Sequence, residues 1–597
     1  GRAAAQAPIY IDEGPDWTPA TRADFYGRDQ GSRMISLPWL QALKQPNGQP
    51  FLADSLARYG YLPNPANTNG LPVGFTASGP TGSQIAGMTC AACHTRQITV
   101  SGQAYRIDGG PAIVDFQSFL ADLDTAVGQV LASDAAFNAF AAAVLGSPNP
   151  NANDVATLRQ NVNAWYLRYH TLITWALPTS PWGTARLDAV GMIFDRLTGL
   201  DLGKPPSYLI PDNIKRADAP VRYPFLWNAP KQDLTQWPAF AGNGTDLLGL
   251  ARNLGEVYGV FAVFQPTDEI WYTDFLNNNS ANFDGLAKLE DLIKEIKPPK
   301  WPKEWPVDAN LAARGEVIYN TPEPAGGGCK GCHGITSGIV RFPGVQTWAT
   351  PVKNVQTDTR EYDILNWTSQ TGVLEGTFIP FVTYPLQAVD TAFNVLGTSV
   401  IGTIAEQALW GNGGLPASAL KAATPNASII QAVPGAGASI QAVPGSSQLK
   451  YTQLPPSLRD LQSAFPLQQA APPPGASFQG IPVPAPTGIT ALAPVGSYES
   501  RVMEGIWAAA PYLHNGSVPT LAELLKPAAQ RVKQFKIGNA YDINNVGLAV
   551  DQPNSTFTLV TTGCDNLNSG NSNCGHEYGT NLSDADKKAL LEYLKTL

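Results

Sequence analysis

Residues 87–97 read GMTCAACHTRQ, two cysteines separated by two alanines with a histidine directly after the second. A second unit, GGCKGCHGI, occupies residues 327–335. Two thiols at that spacing reach the two vinyl groups of one porphyrin, and the adjoining imidazole becomes the proximal ligand of its iron. Tetrahedral zinc also accepts a Cys-x-x-Cys pair, but zinc explains neither histidine's place directly after the second thiol. The chain has only six cysteines and five histidines, so two such units by chance are improbable. The spacing predicts two covalently bound haem c groups, one on Cys90, Cys93 and His94 and one on Cys329, Cys332 and His333.

At 597 residues the chain is too long for a single core and predicts two to four domains. Fourteen Trp, twenty-two Phe and twenty Tyr supply large apolar surfaces for burying porphyrins. A net charge of -9, with no basic stripe, argues against nucleic acid as a partner. No uninterrupted apolar run approaches the roughly 20 residues a membrane span needs. Ala5-Gln6-Ala7 suits the small-residue end of a removed signal peptide. Haem uses four cysteines, leaving Cys564 and Cys574 on either side of a Gly/Asn/Ser loop. They read as a disulfide, which fits an oxidising compartment. Thiol-attached haem points the same way, to a periplasmic or secreted protein.

Along the chain, DFQSFLADLDTAVGQVL (115–131), DAAFNAFAAAVL (134–145) and DVATLRQNVNAWYLRYHTLITWAL (154–177) repeat apolar residues at three and four and carry Asp near each start. The proline-broken run KPPKWPKEWP (297–306) reads as a linker. DANLAARGEVIYN then leads as a short helix into the second haem unit, and LSDADKKALLEYLKTL closes the chain as a capped helix. Residues 412–495 shift to Pro, Gly, Ala, Ser and Gln and hold a local duplication, ASIIQAVPG and ASIQAVPG. That stretch reads as a surface excursion or as a cover over a substrate entrance. The expected architecture is mainly α: two cytochrome c-like haem domains, residues 1–300 and 301–597, with long irregular loops and little β-structure.

Three histidines remain as distal ligand candidates, with Met34, Met88, Met192 and Met503 beside them. An iron with two strong protein ligands transfers electrons, whereas an open sixth position binds oxygen or peroxide. His170, in an aromatic-rich helix, reads as a packed structural histidine. His514 lies in a turn-rich segment, either near the second haem or hydrogen-bonded away from it. His576 follows the Cys564–Cys574 loop, and that crosslink would hold a terminal ligand in place. His576 is the favoured distal ligand of the second haem, with His514 as the alternative.

GIWAAAPYLHNGSVPTLAELL (505–525), together with the two Cys-x-x-Cys-His units, resembles the bacterial dihaem cytochrome c peroxidase superfamily, which includes the MauG proteins. IDGGPAIVDFQSFL, YPFLWNAP, LARNLGEVYGVFAVF and NCGHEYGTNLSDADKKALLEYLKTL resemble one branch of it, the secreted dihaem rubber oxygenases of the Rox type. The matching segments run from about residue 30 to the C-terminus and omit mainly the 412–495 insert. In the peroxidases a methionine after the PYLHNG turn commonly closes the C-terminal haem. The stretch after His514, NGSVPTLAELLKPAAQRVKQF, contains none, which agrees with the Rox branch. The resemblance implies a closed C-terminal haem between His333 and His576; Met503 reads as an apolar packing residue or as a His–Met partner. It implies a reactive N-terminal haem on His94 whose sixth position takes O2.

VRYPFLWNAP is the candidate distal lining, so Phe225 and Trp227 are distal-face candidates, with ordinary core aromatics as the competing reading. Arg252, Asn253 and Glu256 share one helix at one-turn spacing. Arg252 reads as a propionate partner and Glu256 as an acid near iron, or both as members of salt bridges. The implied activity is cleavage of the C=C bonds of poly(cis-1,4-isoprene) by O2, giving fragments with aldehyde and ketone ends. Reduction of hydrogen peroxide and non-catalytic electron transfer are the alternatives. By analogy alone a calcium ion between the domains is also expected, although no oxygen-ligand cluster stands out for it.

Overall fold

A computed structural model of the chain describes residues 7–410 apart from 68, 271, 380–382 and 384, together with 461, 464 and 494–597. The expected 412–495 excursion therefore lies outside the described residues, except for 461, 464, 494 and 495.

The long helices form where the apolar spacing places them. Phe116–Leu131 starts at Asp115, whose side chain accepts from the Ser118 N–H, and buries Phe119, Leu120, Leu123 and Val127 on one face. Asp134–Leu145 is capped by Ser133, and Ala152–Ala176 by Asn151. In both, the aspartate expected as the cap sits inside the first turn instead, where its charge complements the exposed N–H groups. Ala309–Asn320, capped by Asp308, lies against the C-terminal helix Asp584–Leu594, capped by Ser583. Their backbones approach so closely that a Cβ at Gly315 would lie 2.0 Å from the Ala589 carbonyl oxygen. Among the described residues no single helix is long and apolar enough to cross a membrane.

The expectation of a mainly α protein with little β-structure is overturned. The chain is 36% helical and 15% strand, and the strands form many small sheets. Most are two to four residues long, below the length at which an alternating pattern can be read, and several pair across long stretches of chain. Arg186–Leu187, for example, pairs antiparallel with Val221–Arg222. The first Cys-x-x-Cys-His unit is itself framed by strands, Ile85–Met88 before it and Thr95–Val100 after it. The latter pairs with Gln103–Asp108 through a Ser101–Gly102 turn, both residues at positive φ.

Two separate haem domains are not evident either. A first core cluster gathers the helices between residues 116 and 176, and a second the helices Ala189–Leu200, Asp246–Gly259 and Ala392–Trp410. The third draws on both ends of the chain, from Ile11 to Leu594, and its buried members include Trp227, Leu289, Ile318, Trp507 and Leu590. Cys90 and Cys329 both pack against this third cluster, and Cys93 packs against the first. A core shared between the sequence halves holds both motifs.

Candidate haem-binding sites

The first motif folds as a tight turn: Cys90–Ala92 is a single 3-10 turn, and the His94 N–H donates to the Cys90 carbonyl at 3.0 Å. Gly74, at φ +82°, lets the neighbouring chain press onto it, since a Cβ there would lie 2.0 Å from the Ala92 nitrogen. The second motif repeats the arrangement, with His333 N–H donating to the Cys329 carbonyl at 2.9 Å.

Each motif histidine commits its Nδ1 to a backbone carbonyl. His94 Nδ1 lies 2.9 Å from the Pro224 oxygen, and His333 Nδ1 lies 2.6 Å from the Arg501 oxygen. That bond selects the tautomer, orients the ring and leaves Nε2 as the ligand atom. Burial holds both imidazoles below their ordinary pKa, His94 down to about 4. Neutral imidazole is the form that ligates iron. The thiols are pushed up by burial, Cys93 to about 12 and Cys329 to about 11. His94, Cys90, Cys93 and Glu256 each keep part of their surface accessible while lying deep in the protein, so that surface faces an internal space.

The residues fit haem c. Besides the two thiols and the imidazole, Arg96 is fully buried two residues beyond His94. Its Nη1 donates to the Pro111 carbonyl at 3.0 Å, but its Nε and Nη2 are buried with no hydrogen-bond partner. That guanidinium is enclosed by protein, with Tyr512 and Tyr541 near enough to act on its charge. Nothing in the sequence singles out Arg96 beyond its place beside the motif.

His576 stands across from His333. Two imidazoles facing one metal at about 2 Å per bond would have ring centres roughly 6 Å apart, and the His333 and His576 centres are 6.0 Å apart. Burial, then His333 and Arg531, push His576 down to about 3. Its Nδ1 is buried without a partner, while its N–H donates to the Val355 carbonyl at 2.8 Å. The Cys564–Cys574 disulfide closes the preceding loop, as its cysteines predicted. Arg531 secures the end of that loop by donating from Nη1 to the carbonyls of Asn573 (2.6 Å) and Gly575 (2.8 Å).

The alternative ligands lie elsewhere. His514 stacks on Tyr498 with ring centres 3.7 Å apart, and its Nε2 faces Asp358 at 3.9 Å. His170 pairs at the surface with Asp124 at 2.9 Å and stacks on Tyr166. Met34, Met88 and Met192 are core residues, and Met503 packs against the third cluster.

Phe225 and Trp227 follow Pro224 on the segment that holds the Nδ1 edge of His94. They stack at 4.6 Å under the Arg501 guanidinium, which lies 3.9 Å from the Phe225 ring centre. Both rings are buried, Phe225 at 2% and Trp227 at 0% exposure. Arg252 is ion-paired with Glu290 at 2.5 Å within a buried network that includes Asn253 and Asn243. Glu256 accepts from Gln236 Nε2 at 3.0 Å, and its charge bears on both Cys90 and Cys93. Burial raises its pKa, with Arg252 opposing the rise. A protonatable carboxyl thus stands near the first motif. Among the described residues no group of three or more His, Cys, Asp or Glu is placed to hold a metal ion, so no ligands can be named for calcium.

Comparison with known proteins agrees with this chemistry. Residues 497–536 match the family described as RoxA-like, cytochrome c-like. The match contains Arg501, the acceptor for His333. The uncharacterized protein y4iJ of Sinorhizobium fredii (strain NBRC 101917 / NGR234) is 28% identical, the alignment covering 98% of this chain and 92% of that protein. A second uncharacterized protein of that strain, y4iM, is 38% identical over 17% of this chain and 28% of its own length. Over residues 497–536, which include the Arg501 carbonyl that holds His333, the chain is thus similar to RoxA-like, cytochrome c-like proteins.

Proposed function

We propose that the protein is a two-haem c-type oxidoreductase, exported to the periplasm or beyond the cell, that cleaves the C=C bonds of poly(cis-1,4-isoprene) with O2. One observation carries the division of labour: His333 has a second imidazole facing it at 6.0 Å, whereas neither remaining histidine, His170 or His514, is set against His94. The His333–His576 centre would be closed and pass electrons, and the His94 centre would be open to O2. The similarity to RoxA-like proteins supports the substrate.

Haem bound at His94 would supply the oxygen chemistry, and both oxygen atoms would end in the carbonyl groups of the two fragments. The protein's own residues do the rest. Cys90 and Cys93 would hold the haem, and the Pro224 carbonyl orients His94 as its proximal ligand. The thiol-attached haems and the disulfide support export.

Glu256 favours a second reading, reduction of hydrogen peroxide. Breaking an O–O bond to give water requires a proton donor and acceptor at the reacting oxygen, and a buried carboxyl held by Gln236 is a suitable group. Alkene cleavage has no such need.

Incubation of purified protein with polyisoprene latex in air, without peroxide or reductant, tests the first reading. Oxygen uptake with discrete carbonyl-ended isoprenoid fragments in the mass spectrum supports it. No uptake from protein with both haems attached sinks it, and turnover of peroxide with a small reduced donor protein would then support the second.

A further inference from the structure

We infer that Arg501 positions both motif histidines at once and thereby couples the two haem centres. The inference rests on the two-haem reading above but adds a residue and a linkage to it.

The connection consists of four hydrogen bonds. His94 Nδ1 meets the Pro224 carbonyl at 2.9 Å. One residue on, the Phe225 carbonyl accepts from Arg501 Nη1 at 2.5 Å, and Arg501 Nη2 reaches the Trp227 carbonyl at 3.2 Å. The main-chain carbonyl of the same Arg501 then accepts from His333 Nδ1 at 2.6 Å. The guanidinium fork grips the segment behind His94, and the Arg501 backbone forms the wall behind His333.

The surroundings stiffen the link. The guanidinium lies on the face of Phe225, which stacks on Trp227. The Trp227 indole N–H donates to the Glu504 carbonyl at 2.8 Å, and Asn228 Nδ2 donates to the Glu504 carboxylate at 2.6 Å. Segments 225–228 and 501–504 are thus laced together, and Arg501 is only 8% exposed. The hydrogen bond at Nδ1 sets ligand basicity and ring orientation. A shift of Arg501 therefore moves the acceptor of each proximal imidazole, and its charge also acts on His94.

The test uses the full-length holoprotein. Haem is counted first by mass: one haem per chain overturns the two-centre reading and the coupling with it. With two haems, R501K and R501M are compared with R531Q, which removes bonds to the His576 loop and to the Leu524 and Lys526 carbonyls. R501K keeps the charge but cannot fork to two carbonyls. It should change both the iron–imidazole vibration of the His94 centre and the electron paramagnetic resonance signature of the His333 centre. R501M also removes the charge and should lower the His94 midpoint, with a roughly tenfold shift in its reduction equilibrium, about 59 mV for one electron. R531Q should move the His333 centre alone. Should R501M fail to retain both haems, the R501K spectra decide. R501K spectra unchanged at either centre, with both haems attached, overturn the coupling and leave the two-haem reading standing.

Discussion

His333 and His576 face one another with ring centres 6.0 Å apart and planes inclined by 46°, across 243 positions of sequence. Their nearness depends on a loop tied by Cys564–Cys574 and gripped by Arg531. If His576 closes the second centre, H576A opens it. Carbon monoxide titration of the reduced protein should then rise from roughly one to roughly two equivalents per chain. H576M should keep the uptake near one, because a thioether also serves as a strong sixth ligand. No rise with H576A, in protein that keeps both haems, would remove His576 from the ligand set.

The disulfide supplies a second, milder handle. Closing a loop of about ten residues stabilises a fold by on the order of 2–3 kcal/mol in the chain-entropy view. C564S/C574S should lower the thermal midpoint and increase the high-spin fraction at the His333 centre as the His576 loop loosens. The His94 centre should keep its spectrum. A loss confined to the His94 centre would contradict the placement of this loop.

Glu256 separates the two readings of activity. E256Q keeps the shape and the hydrogen-bonding capacity toward Gln236 but cannot exchange a proton. Peroxide turnover should fall by about 10²–10⁴-fold, the usual contribution of a general acid–base group. Oxygen-dependent cleavage of latex should change little. A drop in latex cleavage as large as the drop in peroxide turnover would mean that Glu256 positions the site rather than moving a proton.

How much of this was readable in advance differs by element. Phe116–Leu131 and Asp584–Leu594 were legible because an apolar face and a capping side chain are local features of sequence. The Ser101–Gly102 hairpin leaves a local signal too, a two-residue Ser-Gly turn directly after the β-branched Ile98, Thr99 and Val100. Two-residue strands such as Arg186–Leu187 were not, because their pairing is decided by packing against a partner far along the chain. The Cys564–Cys574 bond followed from counting cysteines. Arg96 and Arg501 could not be found that way. A buried arginine looks like a surface one until its carbonyl partners are known, and those of Arg501 lie 276 and 274 positions away. Phe225 and Trp227 stand out in the sequence as aromatics, whereas the carbonyl groups of their segment serve His94 and Arg501.

Glu499 provides the pH dependence. Burial raises its carboxyl to about 7, against the pull of Arg501, a hydrogen bond from Gln232 and the pull of Arg222. Unfolded, it would titrate near an ordinary glutamate value, about 4.3. Between those values the folded protein holds a proton that the unfolded chain has released. The contribution of Glu499 to stability is therefore fully present below about pH 4.3 and is lost as pH rises through about 7. Because the group is buried, the loss is on the order of 2–4 kcal/mol. The same titration acts on the nearby redox centre, since a new negative charge disfavours the reduced state and lowers its midpoint. E499Q should flatten both the pH 5–8 slope of thermal stability and the matching slope of the His333 midpoint. Identical slopes in E499Q and the unaltered protein would assign the titration to another group.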